Sequence, residues 1–470
     1  MMKRMFSFIL ALVMGVSLTA CGTGTETGSE SEDTVKKETA QVSDEEKASE
    51  SSSDNDITPS SETAQETENT EASEVVQETE PSAAISDYNP EHFETDTLTW
   101  EFDSTTGTLS IHGEGPMRDY SGEAPEWEQY KEQILTVTMD EGVTSVGAYA
   151  FYNYLYLTEV RLPDSVEEID VSAFDYDWSL RTVNIPASLK YVGSRAFYNT
   201  LLWEPADLVF PEGCEYIGDE AFHSALKSGG IVSLPSTLKY LGSQSFTNAF
   251  LSDFIVAADN EYYYSDNHAI YTKDMKEMLM LAPIAAHSGE YRIPDGVERI
   301  SVECFNVIQG IETVYIPASV TEIEEMAFFS TFDLKEIIVD EANPNYKSEN
   351  GMLLSKDGTL LLAFPDGIET NELVIPEGVE RIGAYLFYGR TEGSYSVILP
   401  ESIREIGTMS LPCCMTSITL PASLKTIDKF VFYSGISVES ITYNGTAADW
   451  ENITIEDGNV ALDSAVINMN

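Results

Sequence analysis

The residues best suited to bind another molecule stand one residue before each copy of a recurring aliphatic–proline pair. These positions hold Arg161, Asn184, Val209, Ser233, Arg292, Tyr315, Val374, Ile398 and Thr419. Arginine and tyrosine are favoured at the energetic centres of interfaces. We therefore predict a binding face that consists of Glu159, Arg161, Thr182, Asn184, Arg292, Thr313 and Tyr315. The alternative is that these are ordinary exposed strand positions.

The residue types that catalysis and metal binding require do not occur at suitable spacings. There is no His-Glu-x-x-His, no Gly-x-Ser-x-Gly, no phosphate-binding glycine loop and no cysteine pair at zinc spacing, and no metal spacing relates His92, His112, His223, His268 and His287. The pairs Glu167–Glu168 and Glu324–Glu325 lie between inward-facing residues, which favours a solvated surface. We predict no catalytic residue, no cofactor, no metal site and no enzymatic activity. Calcium on the acidic surface stays open, although no EF-hand loop is present.

Cys21 is the predicted site of lipid attachment. Lys3 and Arg4 precede an apolar stretch, residues 6–16, that is short for a membrane span. The stretch ends at Leu18-Thr-Ala-Cys21, which resembles the bacterial lipobox. We predict a lipoprotein signal peptide over residues 1–20 and a chain exported, anchored in the bacterial cell membrane through Cys21 and exposed at the surface. The alternative is an ordinary cleavage site with a chance cysteine.

An acidic tether is predicted over residues 21–90. Residues 22–87 contain 19 acidic residues, three lysines and no Phe, Trp or Tyr, so they cannot bury enough apolar surface to fold. Of the chain's formal net charge of −55, this segment contributes −16 and residues 88–470 contribute −41. A folded part this acidic repels nucleic acid. We predict no nucleic-acid partner and a macromolecular ligand, protein or glycan.

The elements that must position the binding face come from one repeated phrase. Nine copies carry an apolar residue before a proline, further apolar residues three and six positions after it, and a residue pair at positions ten and eleven that is most often Ala-Phe. Counting eleven from the proline reaches Phe in eight copies and Leu411 in the ninth, and Asp140 opens a tenth copy without proline. A period of this size predicts a solenoid.

Each repeat predicts one coil. In Val160-Arg-Leu162-Pro163 the alternation is typical of a short strand with Arg161 pointing outward, and the proline ends the strand. The Phe of each coil is expected to stack on that of the next. We predict a β-rich solenoid of about ten coils, residues 136–440, with an N-terminal cap over residues 91–135 and a C-terminal cap over residues 441–470.

Two intervals between prolines are longer than the others and copy each other. Both span 59 residues, and the register from Asn260 matches that from Asn343 without gaps. Asn350-Gly351 and Asp357-Gly358 are two-residue turn signals between apolar runs. We predict β-meander insertions over about 254–290 and 337–370. His268, which stands where the second copy has Gly351, is interpreted as a turn residue.

Cysteine use gives no disulfide framework. Cys214 and Cys304 replace core residues of the repeat, where a thiol packs as a small hydrophobe. Cys413 and Cys414 are adjacent in a turn, and a strained disulfide between them is the less favoured alternative.

The chain resembles the BspA-type leucine-rich-repeat surface proteins over about residues 92–470. The resemblance rests on the Ile-Pro-x-Ser-Val-x-x-Ile-Gly-x-x-Ala-Phe phrase, the Trp100…Gly113-x-Gly115 opening, the meanders and the Tyr443-Asn-Gly-Thr…Trp450 cap. It implies a β-solenoid on a bacterial surface with adhesion or protein binding as the usual role, and it provides no catalytic residues. The function predicted is that of a non-enzymatic, lipid-anchored surface protein that binds macromolecules. The alternatives are an envelope glycan- or peptidoglycan-binding module and a structural spacer.

Overall fold

The computed structural model describes residues 98–285, 289–390, 393–433, 436, 438, 440–463 and 465–469. The predicted signal peptide, Cys21, the tether and residues 91–97 of the cap lie outside the described residues. Within these ranges the single α-helix is α1 (Ala447–Trp450), and 3-10 turns cover Glu128–Tyr130 and Val460–Asp463. No helix of the described ranges has the length and apolar character that a membrane span requires.

Strands are numbered in chain order, and the first fourteen precede the first meander. They are β1 (Thr99–Asp103), β2 (Thr108–His112), β3 (Gly115–Pro116), β4 (Thr136–Met139), β5 (Val143–Val146), β6 (Glu159–Arg161), β7 (Glu168–Ile169), β8 (Thr182–Val183), β9 (Tyr191–Val192), β10 (Leu208–Val209), β11 (Tyr216–Ile217), β12 (Ile231–Leu234), β13 (Tyr240–Leu241) and β14 (Asp253–Val256).

The first meander consists of β15 (Tyr263–Asp266), β16 (Ala269–Thr272) and β17 (Glu277–Leu281). The coils between the meanders contribute β18 (Gly289–Arg292), β19 (Arg299–Ile300), β20 (Ile311–Ile316), β21 (Glu322–Ile323) and β22 (Glu336–Val339).

The second meander consists of β23 (Tyr346–Glu349), β24 (Met352–Ser355) and β25 (Leu360–Ala363). The remaining strands are β26 (Glu372–Val374), β27 (Arg381–Ile382), β28 (Tyr395–Ile398), β29 (Glu405–Ile406), β30 (Met415–Leu420), β31 (Thr426–Ile427), β32 (Ser440–Tyr443), β33 (Thr454–Ile455) and β34 (Ile467–Met469).

Two sides of each coil are parallel β-ladders. The strand that leads into each proline forms the long-strand row, in the sheets β1-β2-β4-β6-β8, β10-β12-β14, β18-β20-β22 and β26-β28-β30-β32-β34. The two-residue strands after the proline form a second row. Successive residues of a strand face opposite sides of the sheet. In each coil the aliphatic residues at alternate positions therefore point into the core, and the residues between them point to solvent.

The third side of the coil is a hydrogen-bonded ladder that is not β-structure. In the coil that follows Pro163, Ser172 (φ 53°) and Tyr176 (φ 64°) have left-handed backbones on either side of Ala173-Phe174. The N–H groups of Ser172, Phe174 and Tyr176 donate to carbonyls of the next coil over 2.8–3.0 Å. Left-handed backbones cost roughly 1–2 kcal/mol per non-glycine residue, and the inter-coil hydrogen bonds offset that cost.

The predicted solenoid is confirmed, but it has about 14 turns rather than about ten. The difference arises because the caps and meanders also carry the parallel ladders. In the N-terminal cap β2 pairs with β4, and in the C-terminal cap β34 pairs with β32. These segments lack the proline–phenylalanine phrase, so a count of phrases leaves them out.

The predicted phenylalanine stack forms the centre of the core. Adjacent rings in the run Phe151, Phe174, Phe197, Phe222 and Phe246 lie 5.0–5.3 Å apart and are nearly parallel. These side chains are fully or almost fully buried. A single coil has no second layer to cover its apolar face, so stacking between coils supplies the stability.

Both predicted meanders are present, and each joins the short-strand row. Strands β15-β16-β17 pair antiparallel and then continue into β19 and β21, and β23-β24-β25 continue into β27 in the same way. His268 (φ 65°) occupies a turn position, as predicted, and Gly351 (φ 82°) occupies the matching one.

The cap features follow the sequence in part. Strands β1 and β2 form an antiparallel hairpin around Ser104–Gly107. Trp127, Tyr130 and Ile134 are spaced as on one side of a helix, but the segment forms only the 3-10 turn Glu128–Tyr130. Helix α1 begins with a capping box, in which Thr446 and Asp449 exchange side chain-to-backbone hydrogen bonds.

Candidate functional site

The outward residues of the long-strand row form the surface called here the strand face. Its central column consists of the residues two positions before each proline or its equivalent. Strand pairing aligns them as Val209, Ser233 and Ile255, as Arg292, Tyr315 and Ile338, and as Val374, Ile398, Thr419 and Thr442. The alternation predicted from the sequence therefore places these side chains on one side of the strands.

The N-terminal group of the predicted binding residues lies on β6 and β8. Glu159 is directly opposite Thr182 in the parallel pair. Arg161 Nε donates to Glu159 Oε1 over 2.7 Å, and the Arg161 side chain stays 65% exposed. The ion pair occupies one edge of the guanidinium, so its remaining donors face solvent.

Asn184 has a structural role that its spacing did not indicate. Its Oδ1 accepts from the Leu162 N–H over 2.8 Å, and its Nδ2 donates to the Leu162 carbonyl over 2.7 Å. The side chain thus replaces a pair of ladder hydrogen bonds between two coils. Its role in binding a ligand stays a prediction.

The second group combines a cation and an aromatic ring. Arg292 on β18 is directly opposite Tyr315 on β20, and the guanidinium carbon lies 3.5 Å from the centre of the Tyr315 ring. Arg292 also donates to Glu290 over 3.2 Å, and Thr313 is opposite Glu290 in the ladder. The stacking fixes the plane of the guanidinium and keeps its exposed donors oriented.

The structure does not bring the two groups together. Glu159, Arg161 and Thr182 belong to the sheet β1-β2-β4-β6-β8, and Arg292, Thr313 and Tyr315 belong to β18-β20-β22. Along the chain, the sheet β10-β12-β14 and the first meander lie between these two groups. The outward residues of the long-strand row are therefore divided among four sheets.

Exposed apolar residues are more prominent in the central column than sequence reasoning indicated. Val209, Ile255, Val374 and Ile398 are 59%, 49%, 50% and 44% exposed. Ile255 was missed because its coil has no proline and enters the first meander, although its pairing with Ser233 places it in the column. Val374 and Ile398 are direct neighbours in the ladder.

The outward residues of the third side form the turn face, which carries an aromatic and polar cluster. The Tyr176 ring lies 5.6 Å from that of Tyr198, and Tyr198 stacks on His223 at 4.9 Å. Arg195 lies 3.7 Å over the Tyr198 ring and pairs with Asp175 at 3.0 Å and Glu220 at 2.7 Å. Tyr198, which follows Phe197 of the stack, therefore packs against side chains of both neighbouring coils.

Burial controls the ionisation of the polar groups on the turn face. It lowers the pKa of His223 to about 4, with Lys227 and Arg195 adding repulsion. Burial also lowers the pKa of Lys227 to about 8 and raises that of Glu303. His223 Nε2 and Glu303 Oε2 are 3.9 Å apart, and both groups are driven towards the neutral form.

The described residues provide no group of three or more His, Cys, Asp or Glu that could hold a metal ion. Cys214 and Cys304 are buried in the core, as predicted. Cys413 and Cys414 form no disulfide, and their Sγ atoms lie 3.5 Å apart. The carboxylate pairs are surface groups with basic neighbours, since Glu167 pairs with Lys190 at 2.8 Å and Glu324 pairs with Arg299.

A polar cavity of about 810 Å³ lies beside the second meander, and its lining includes Glu312, Lys335, Asp366, Arg390 and Tyr395. Arg390 donates to the carbonyls of Pro365 and Ile368 over 3.0 and 3.2 Å, and its Nε lies 3.7 Å from Asp366. Burial raises the pKa of Asp366 to about 6. Because Arg390 is held by backbone carbonyls, we interpret this cluster as support for the meander.

The repeat region matches the model of the BspA type leucine-rich repeat, with six copies over residues 129–252, 204–276, 288–350 and 362–463. The chain belongs to this family. The match covers the coils on both sides of each meander, and it agrees with the parallel ladders described above. No curated protein matches the chain.

Several solved structures of bacterial leucine-rich-repeat proteins are similar to this chain. A leucine-rich cell surface protein from Faecalibacterium prausnitzii is 18% identical, with 78% of this chain and 98% of that chain covered and a TM-score of 0.45. A leucine-rich repeat protein from Eubacterium ventriosum is 17% identical, with 80% and 83% covered and a TM-score of 0.33. The pneumococcal vaccine antigen PcpA is 17% identical, with 77% of each chain covered and a TM-score of 0.32.

Proposed function

We propose that the chain is a non-enzymatic bacterial surface protein, anchored through a lipid on Cys21, that displays its solenoid to bind proteins or other macromolecules. The observation that supports this most is the strand face, where exposed arginine and aliphatic side chains and the half-buried Tyr315 point outward from parallel ladders. Family membership and the cell-surface description of the Faecalibacterium prausnitzii protein fit this proposal.

Rigid presentation is what makes the strand face suitable for binding. Each outward side chain is held by a parallel strand whose inward neighbours are buried, so little backbone entropy is lost when a partner binds. Arg292 is further restrained by Tyr315 at 3.5 Å. A partner would therefore meet an ordered row of donors and apolar groups.

The binding test uses the full chain with Cys21→Ala and a panel of matrix proteins, mucins and cell-wall glycans. We expect at least one ligand, and we expect it to be lost when Arg161, Arg292 and Tyr315 are replaced by alanine. The matched control replaces Arg118, Lys131 and Tyr156, which lie outside the long-strand row. A ligand retained by the first variant would place binding elsewhere, and catalysis on any panel member would contradict the non-enzymatic assignment.

The anchor has a separate test. Chain carrying Cys21 is expected in the membrane fraction after cell lysis, and chain carrying Cys21→Ala is expected in the soluble fraction. Substitution of the buried Cys214 by alanine serves as the control, because it removes a thiol without touching the predicted lipid site. Membrane retention of the Cys21→Ala chain would contradict the lipid anchor.

An envelope glycan is the second candidate ligand class, and the turn face favours it. Tyr152, Tyr176 and Tyr198 form a row of neighbouring rings, and Tyr152 is 40% exposed. Binding of peptidoglycan fragments that is lost with Tyr152→Ala and kept in the strand-face variant would support this class. A structural spacer would bind nothing in the panel.

A further inference from the structure

We propose that Cys413 and Cys414 form a redox modification site, at which a low-molecular-weight disulfide oxidises the two thiols to a disulfide bond between adjacent residues. Small thiols reverse the reaction. The reaction is independent of ligand binding, because it is a covalent change within one turn of the solenoid. Three observations support this site: the position of the two sulfur atoms, their accessibility and the hydrogen bonds that attach the turn to the preceding coil.

The two sulfur atoms are brought together by a tight turn. Side chains of adjacent residues in an extended strand point to opposite faces, and the turn at Cys413 and Cys414 removes that separation. The two Sγ atoms lie 3.5 Å apart. Because a disulfide bond is about 2.05 Å long, the sulfur atoms need to approach each other by about 1.5 Å to become bonded.

The turn lies in the shortest coil of the repeat. The spacing from Pro400 to Pro421 is 21 residues, whereas the other spacings between neighbouring copies, apart from the two that contain meanders, are 23–25 residues. The shortening falls after Leu411, because the residues from Pro400 to Leu411 keep the common spacing. Few residues remain between Leu411 and β30 (Met415–Leu420), and the chain turns at the two cysteines.

Among the described cysteines, the adjacent pair is the one that lies at the surface. Cys413 and Cys414 are half-buried, whereas Cys214 and Cys304 are 0% and 1% exposed. The rate of thiol–disulfide exchange depends on access to the attacking sulfur atom. A small disulfide in solution therefore reacts at the pair and not at the two cysteines in the core.

Hydrogen bonds attach the turn to the preceding coil. The Cys413 thiol donates to the Arg390 carbonyl oxygen over 3.9 Å, and the Cys414 carbonyl accepts from the Tyr395 N–H over 3.1 Å. Met415, which follows the pair, is directly opposite Tyr395 in the ladder of β28 and β30. Arg390 and Tyr395 also line the polar cavity beside the second meander. A covalent change at the cysteines therefore acts on the start of this ladder and on the cavity wall.

A disulfide between adjacent residues is strained and therefore easily reduced. The Cα atoms of adjacent residues are about 3.8 Å apart across a trans peptide, whereas disulfides ordinarily join Cα atoms that are about 4.4–6.8 Å apart. Strained and exposed disulfides are the labile ones, which small thiols break. The bond encloses no residue between the two cysteines, so it adds little stability by restricting the unfolded chain. These properties suit a reversible modification and not a structural crosslink.

The reaction balances with one small disulfide as the oxidant. The thiolate of one cysteine attacks a sulfur atom of the small disulfide, and one small thiol leaves as its thiolate. The thiolate of the other cysteine then attacks the protein sulfur of the mixed disulfide and expels the second small thiol. The protein thus loses two electrons and two protons, and the small disulfide becomes two small thiols. Because Cys413 no longer carries a proton, its hydrogen bond to the Arg390 carbonyl is lost.

The test uses oxidised and reduced glutathione as probes on the full chain with Cys21→Ala. After incubation with oxidised glutathione the remaining thiols are alkylated, and the mass of the tryptic peptide 405–425, which contains both cysteines, is measured. We expect this peptide to be lighter than the reduced peptide by two hydrogen atoms and to carry no alkyl group. Reduced glutathione should restore both thiols. A peptide with two alkylated thiols, stably bound glutathione or a disulfide between two chains would overturn the proposal.

Single variants assign the reaction to the pair. Cys413→Ser and Cys414→Ser should each keep glutathione bound to the remaining cysteine, because no second thiol is present to expel it. The matched control, Cys214→Ala, should form the disulfide at a rate within about twofold of the parent chain, because exchange depends on the attacking and leaving thiols. Loss of two hydrogen atoms in either serine variant would contradict the assignment. Circular dichroism of each variant checks that the fold is retained.

Hydrogen exchange reports the structural consequence of oxidation. The Tyr395 amide, which donates to the Cys414 carbonyl, should exchange about threefold faster or more in the oxidised chain. The same treatment of the double variant, Cys413→Ser with Cys414→Ser, should leave the exchange rate unchanged. Equal exchange in the oxidised and reduced parent chains would overturn the effect on the ladder of β28 and β30.

Discussion

The two meanders form equivalent side chain-to-backbone hydrogen bonds, but different side chains fill their cores. Asn260 and Asn343 each donate to two carbonyls of the preceding coil and accept from two N–H groups of their own meander, at 2.8–2.9 Å throughout. The hydroxyls of Tyr263 and Tyr346 accept from the N–H groups of Leu241 and Ile323 over 2.8 and 2.9 Å.

The buried residues of the same two segments are not matched. The hydroxyls of Tyr271 and Tyr291 are joined by a hydrogen bond of 3.0 Å. At the equivalent positions the second segment has Leu354 and Leu373. All four side chains are buried. The core position held by Leu281 in the first meander is Phe364 in the second, where the ring lies 5.0 Å from Phe387.

This difference separates positions where hydrogen-bond geometry limits the choice of residue from positions where only side-chain volume does. Where an insertion interrupts the coil, backbone groups lose their ladder partners, and a buried group without a partner costs about 1–3 kcal/mol. Few side chains reach those groups with the right geometry, so the same asparagine and tyrosine recur. A core position needs only an apolar group of suitable size, and several combinations provide it.

Removing a core aromatic should have the largest effect on one meander alone. Phe364→Ala is expected to cost about 3–5 kcal/mol, because the ring is buried against Phe387 and leaves a cavity. Phe364→Leu, which copies the first meander, should cost less than about 1.5 kcal/mol. Urea unfolding followed by circular dichroism measures both. If both variants lose the same free energy of unfolding, the shape of the ring, and not its volume, determines which residue is tolerated at this position.

Sequence reasoning predicted the elements that depend on the period and missed those that depend on stacking. The proline–phenylalanine phrase predicted the strand before Pro163 and the Phe174 stack, because strand alternation and repeat length are local properties. The left-handed positions Ser172 and Tyr176 were missed, since no glycine marks them and they form by hydrogen bonding to the next coil. The turn count was too low for a related reason, because cap strands stack without the phrase.

The same division applies to the candidate site. Arg292 and Tyr315 were assigned to one face from spacing alone, and the ladder pairs them directly. The bonds of Asn184 to Leu162 were not foreseen, since they depend on which backbone group of the neighbouring coil is unpaired.

The shared asparagines should be equally important in both meanders. Asn260→Ala and Asn343→Ala are each expected to cost about 2–3 kcal/mol, since each leaves buried backbone carbonyls and N–H groups without partners. Native-state hydrogen exchange of the amides of β15 and β23 reports the local loss. Asn371→Ala, at an exposed position, is the control and should change little. If only one of the two variants loses amide protection, the equivalent hydrogen bonds contribute different free energies in the two meanders.

The tyrosine pair should show a coupling that the leucine pair cannot have. Tyr271→Phe leaves the Tyr291 hydroxyl without this partner and is expected to cost about 1–2 kcal/mol. The double variant Tyr271→Phe with Tyr291→Phe should cost less than the sum of the single changes, by about 1 kcal/mol. Unfolding free energies of the wild type, both single variants and the double variant complete the cycle. Simple additivity would mean that the hydroxyl contact contributes nothing.

The smallest effect is expected at the matched turn positions, where the two meanders differ by one side chain. His268 has a left-handed backbone (φ 65°) that glycine adopts without strain, so His268→Gly should stabilise the first meander by up to about 1 kcal/mol. The gain is reduced by loss of the contact between His268 Nδ1 and Asp253 at 3.2 Å. Both side chains are partly exposed, so this contact contributes roughly a few tenths of a kcal/mol. The reverse change, Gly351→His, should destabilise the second meander by more, because a Cβ there would lie 3.1 Å from the Lys335 carbonyl oxygen. Thermal unfolding of the two variants measures both signs, and a destabilised His268→Gly chain would show that the Asp253 contact outweighs the backbone strain.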